Sequence, residues 1–207
     1  MNSPHQPFTA YGHTFLKTVL MGLILIGMIW LFPSRTHEAP PVDPGKLFEG
    51  PYVNIHAPAS AGWKLSQADN RGMGFIRRDA TTGVTWAAEV LISRPDPAMD
   101  LLEAARTIAG GRSQGERYKT LETKFEVVSE RSYPCVRFRG TIQDTRAQTP
   151  QGTVSLPMYV RSLIFRHPVE KKLVFEVTFS QRGGEAGPDL ESQAESFFKG
   201  IDLPPGK

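Results

Sequence analysis

Few side chains in this 207-residue chain are suited to chemistry. Beyond a proline-rich stretch that ends near residue 50, His56 and His167 are the candidate general bases, and Cys135 is the sole cysteine. Nucleophilic catalysis needs a nucleophile, a base and an orienting group within reach of one another. A Cys135/His167 pair is the one arrangement on offer, since both residues belong to segments that read as strands. Nothing adjacent to Cys135 would stabilise a thiolate, however, and its neighbours Pro134 and Val136 mark it as a small buried hydrophobe. The two histidines read as solvated strand ends. No residue is assigned a catalytic role.

Metal and nucleotide chemistry find no better footing. The chain has no His-x-His, no His-Glu-x-x-His, no cysteine pair and no acidic loop with calcium spacing. Gly110-Gly111-Arg112-Ser113-Gln114-Gly115 is superficially like a phosphate loop. It follows a helical pattern rather than a strand and lacks the Gly-Lys-Ser/Thr ending, so it reads as helix termination. No cofactor is expected.

The remaining candidates are arginines. Arg77 and Arg78 end one strand, Arg137 and Arg139 share the outward face of another, and Arg161 with Arg166 belongs to a third. Brought together, they would form a positive surface for anionic lipid headgroups or an acidic partner. The competing reading is a solvated sheet face on which they pair with Glu89, Glu126, Glu130 and Glu176. A formal charge of +3 is too small an excess for an electrostatic nucleic-acid binder, so no nucleic-acid partner is expected.

The elements that must position these groups are mostly strands. Trp86, Ala88, Val90 and Ile92 fall on one face with Thr85 and Glu89 opposite. Val136, Phe138, Gly140 and Ile142 alternate with Arg137, Arg139, Thr141 and Gln143, and Leu173, Phe175, Val177 and Phe179 alternate with Val174, Glu176, Thr178 and Ser180. Alternation of this kind predicts an antiparallel sheet with one apolar face inward. Shorter strands are predicted at 63–66, 74–78 and 125–130, with a central strand over 158–165 that is apolar on both faces. A helix opens at Asp96-Pro97, buries Leu101, Leu102, Ala105 and Ile108, and stops at Gly110-Gly111. A second runs over 189–199, with Leu190, Ala194, Phe197 and Phe198 inward. The fold class is α+β: an antiparallel sheet flanked by two helices, preceded by one transmembrane helix.

That last helix rests on Thr18 to Phe32, fifteen residues without a charge. At 1.5 Å per residue they span about 22 Å, and extending back to Thr14 takes in Lys17, whose ammonium can snorkel to the headgroups. Leu23 and Ile26 lie within the run, and Trp30 suits the interfacial belt. The exit, Trp30-Leu31-Phe32-Pro33-Ser34-Arg35, offers no pair of small residues spaced for signal peptidase, and Pro40 follows the nearest candidate, Ala39, so the run reads as an uncleaved anchor rather than a removed signal peptide. A short leading tail with a single span places the larger part outside, in a bacterial periplasm or an equivalent extracytoplasmic space. Pro33, Pro40, Pro41, Pro44, Pro51 and Pro58 make the following stretch a semi-extended tether. The expected organisation is a tail (1–13), a signal-anchor helix (14–32), a tether (33–50), an extracytoplasmic domain (51–203) and a short tail (204–207).

The element order, with the closing pattern Glu195-Ser196-Phe197-Phe198-Lys199-Gly200-Ile201 and a hairpin over 125–140 turning at Ser132-Tyr133-Pro134, resembles the Mog1/PsbP-like proteins. The resemblance covers roughly residues 50–203. It implies a central antiparallel sheet flanked by helices and a non-catalytic accessory or assembly role, and it assigns no site residue. The expected function is a membrane-anchored accessory subunit, not an enzyme, held to the bilayer by its N-terminal helix and docked on an integral membrane protein complex. The alternative is a periplasmic small-molecule or lipid-binding module.

Overall fold

The computed structural model describes residues 39–111, 116–129, 131–149 and 152–204. The predicted anchor, with Lys17, Leu23, Ile26 and Trp30, lies outside the described residues, as do the tail 1–13, residues 33–38 of the tether and all but Pro204 of the tail 204–207. No helix among the described residues is long and apolar enough to cross a membrane.

Alternating residues build two antiparallel sheets. The larger contains β3 (Lys64–Asp69), β4 (Gly72–Arg78), β5 (Thr85–Ser93), β6 (Tyr118–Val128), β7 (Cys135–Thr149), β8 (Gly152–Arg166) and β9 (Val174–Arg182), in the order β3-β4-β5-β9-β8-β7-β6. The smaller holds β1 (Leu47–Phe48), β2 (Asn54–His56) and β10 (Ile201–Asp202), with β2 in the middle. Helix α1 (Leu101–Gly111) follows β5, and α2 (Leu190–Lys199) follows β9.

The two helices cover opposite faces of the large sheet, because the apolar phase differs from strand to strand. Val136, Phe138 and Ile142 of β7, with Val160 and Ile164 of β8, bury against Ala105 and Ala109 of α1. Ala88 and Val90 of β5, with Phe175, Val177 and Phe179 of β9, bury instead against Ala194, Phe197 and Phe198 of α2. The expectation of one inward face is therefore corrected: both faces carry a core, and the sheet is a middle layer. β8 sits between β7 and β9 and is apolar on both faces, as a central strand must be.

Helix α1 begins at Leu101 rather than at Pro97. Asp96 closes a turn by accepting the Ala98 N–H at 2.9 Å, and Asp100 then caps the helix by accepting the Glu103 N–H at 3.0 Å. Part of the stretch read as a tether is built into the fold. Val42 N–H donates to Trp63 O at 3.0 Å, Leu65 N–H to Pro40 O at 3.0 Å, and β1 pairs with β2. Residues 40–42 thus lie along β3, one of the two edge strands of the large sheet.

Candidate functional site

The predicted arginines divide into three situations. Arg137 and Arg139 of β7 and Arg161 of β8 stand together beneath α2, since Arg139 is the register partner of Arg161 and Arg137 that of Leu163. Each is met by a carboxylate from the helix. Arg137 grips Glu195 with two donors, one of them from Nη2 to Oε2 at 3.0 Å. Arg139 Nη2 lies 2.9 Å from Glu191 Oε1, and Arg161 Nε donates to Glu191 Oε2 at 2.6 Å. Glu191 and Glu195 are one helical turn apart, so they share one face of α2. Helix carboxylates thus meet all three arginines, because α2 lies over the face that alternation alone would leave open.

Arg77 is packed rather than paired. Its guanidinium lies 5.1 Å from the Trp63 ring and 4.5 Å from the Trp86 ring, donating to Ser60 Oγ at 2.8 Å and Gln193 Oε1 at 3.2 Å. Burial lowers its pKa, and the nearby Asp79 charge opposes that shift. Arg78, the next residue, is exposed and points to the opposite face of β4.

A second group of charges was not legible as a site. Asp144 of β7 has a fully buried side chain and accepts from Arg117 Nε and Nη2, both at 3.0 Å, and from Arg182 Nη1 at 3.1 Å. The Arg146 N–H adds a fourth hydrogen bond at 3.2 Å. Burial pushes the Asp144 carboxyl up, but hydrogen bonds and charge from Arg117, the Arg146 amide and Arg182 together hold it below the usual carboxylate range. Burial also raises the neighbouring Tyr118 hydroxyl. The signal was present in the alternation: Asp144 continues the apolar phase of Val136, Phe138 and Ile142, where a carboxylate has to be paired.

An open cleft of about 520 Å³ lies at one end of the large sheet. Its walls come from the β6–β7 turn (Arg131, Tyr133), the β8–β9 turn (His167, Val169) and the strand that follows α2 (Ile201, Leu203). Arg131 is fixed there by donating from Nη1 to Tyr133 Oη and to Ile201 O, both at 3.1 Å, and from Nη2 to Phe198 O. It thereby ties the last turn of α2, through the Phe198 carbonyl, to β10, through that of Ile201. His167 is buried, and its Nδ1 accepts the Val169 and Glu170 N–H groups at 3.2 and 2.8 Å. That nitrogen must carry no proton, so the position a triad carboxylate would occupy is taken by main chain. Cys135 is fully buried, with its Sγ donating to Tyr133 O at 3.5 Å. His56 is on β2, its Nδ1 donating to Gly45 O at 3.1 Å and its Nε2 3.8 Å from Asp202. Among the described residues no three His, Cys, Asp or Glu side chains gather where they could hold a metal ion.

No family model and no curated protein matches the chain. Several solved structures are similar to it, among them the following two. LpqN, involved in cell envelope biogenesis of Mycobacterium tuberculosis, is 13% identical over 81% of this chain and 91% of its own, with a TM-score of 0.40. The Saccharomyces cerevisiae Ran-binding protein Mog1p is 9% identical over 73% of this chain and 89% of its own, with a TM-score of 0.42. The Mog1-type likeness expected from the element order thus recurs in the comparison of structures. At these identities and scores it carries no functional argument.

Proposed function

We propose that this chain is a membrane-tethered, non-catalytic accessory or assembly subunit whose α+β domain stands on the extracytoplasmic side and docks on a larger integral membrane complex. The observation that carries the reading is how the domain's reactive and charged groups are engaged. Arg137, Arg139 and Arg161 hold α2 through Glu191 and Glu195, His167 Nδ1 accepts main-chain N–H groups, and Cys135 is sealed in the core. Groups engaged in this way rigidify a body, which supports a structural role. The uncharged run from Thr18 to Phe32 supports the tether. Alkaline carbonate extraction and protease protection of the full-length chain test the tether and its orientation. Co-purification of stoichiometric partners from mild detergent tests the docking.

A second reading, a small-molecule or lipid-binding module, is favoured by the cleft beside Arg131. Its volume falls within the range of ligand sites, and a guanidinium fixed in its wall suits a ligand with an apolar body and an anionic or acceptor group. Native mass spectrometry of the purified protein discriminates the two: a uniform small-molecule adduct supports the module, and the bare mass of the chain supports the accessory subunit.

A further inference from the structure

The two edges of the large sheet are treated differently. At β3 the edge is approached by residues 40–42, which donate to Trp63 and accept from Leu65. At the other end, the eleven-residue β6 pairs, among the described residues, on one side only, ten of its residues with β7. Nearly all of β6 is exposed, including Leu121 at 53% and Val127 at 59%. An uncovered edge of this length is a template for another strand, and proteins usually blunt it with lysines and bulges. Both devices occur here, since β6 carries Lys119 and Lys124 and its register shifts between Thr120 and Glu122.

The arrangement of charge on this edge goes beyond blunting. Register with β7 places Lys119, Glu122, Lys124 and Glu126 opposite Gln143, Thr141, Arg139 and Arg137, so all four lie on the α2 face of the sheet. Along that face the signs run plus, minus, plus, minus. On the other face stand only uncharged residues: Tyr118, Thr120, Thr123, Phe125 and Val127. Such an alternation is self-complementary. We propose that β6 is an interface for a second copy of this chain, paired antiparallel about a two-fold axis through Thr123.

In that register, with Leu121 bulged out of the ladder in both copies as it is against β7, Glu122 stands opposite Lys124 of the second copy, and Lys119 opposite its Glu126. The two-fold repeats both, so all four cross-strand charge pairs are of opposite sign. On the uncharged face Phe125 meets Thr120 and Val127 meets Tyr118. Opposite charges and aromatic or β-branched pairs at facing positions each stabilise a ladder, and like charges there destabilise it. The interface is isologous, as a closed dimer requires. It is independent of the cleft, of the arginines beneath α2 and of the anchor.

The test is sedimentation of the full-length chain in mild detergent, for the natural sequence and for Glu122→Lys, Lys124→Glu, the double exchange, and an equimolar mixture of the two single variants. Both positions are exposed, so folding is unaffected, which circular dichroism checks. The natural chain is expected to be dimeric. Each single variant puts two like-charged pairs at the interface and raises the dissociation constant by on the order of tenfold or more. The double exchange restores every opposite pair, and mixing the single variants yields a heterodimer. A monomeric natural chain, or a dimer indifferent to these substitutions, overturns the proposal; the latter outcome assigns association to another surface.

Discussion

At the scale of single residues, the most demanding position is Asp144. Its carboxylate is wholly out of water and answers two guanidiniums, with Arg182 itself nearly as buried. Removing one member of a buried ion pair leaves the other charge uncompensated. Asp144→Ala is therefore expected to cost about 3–5 kcal/mol, measured by urea denaturation. Replacing the whole group by apolar residues would cost far less, because the desolvation of three charges is relieved together. The same residue sets a pH dependence. Its folded pKa is depressed, so its contribution is complete above the unfolded aspartate value of about 3.9 and is lost as pH falls from there through the folded value. Denaturant midpoints measured through the acid range should fall more steeply for the natural chain than for Asp144→Asn. Arg77 poses a gentler case: truncation to alanine removes two ring contacts and two hydrogen bonds and is expected to cost about 1–2 kcal/mol in the same assay.

At the scale of elements, α2 is held to the sheet by its aromatic face and by a row of ion pairs at its side. Phe197 meets Phe75 and Phe179 at centroid distances of 6.3 and 6.5 Å, while Glu191 and Glu195 reach Arg139, Arg161 and Arg137. Glu195→Gln leaves the packing but weakens the pairing, so a loss of about 1–2 kcal/mol is expected, read as a lowered urea midpoint. The hairpin of β3 and β4 depends on Gly72, whose φ is +155° and whose added Cβ would lie 2.0 Å from Val90 O. Gly72→Ala is expected to cost at least about 2 kcal/mol, because β5 backbone occupies the space. Much of this was legible in the chain. Period-two runs located β5, β7 and β9, a run apolar on both faces located β8, and the spacing of Leu190, Ala194, Phe197 and Phe198 located α2 to within a residue. What alternation does not contain is which layer lies over each face. Arg137 and Arg139 occupy the polar phase of β7 whether that phase meets water or the carboxylates of a helix fifty residues away. The N-terminal half of β6 and the outer end of β8 were missed because they are largely exposed, with no apolar phase to see, and the outer end of β7 because its next buried position beyond Ile142 is the polar Asp144.

At the scale of the whole molecule, a sheet with a core on each face is rigid, and its polar residues are largely engaged in holding the layers together. Such a body suits a scaffold that presents surface to a partner. On the proposed reading the uncharged run serves as its tether to the bilayer. The most direct measurement is affinity purification of the full-length tagged chain from its native membranes in mild detergent, with co-purifying proteins quantified by mass spectrometry. An integral membrane complex recovered in fixed stoichiometry with the chain is the expected result. The chain emerging without partners, from a preparation in which known complexes survive intact, would contradict the accessory-subunit role.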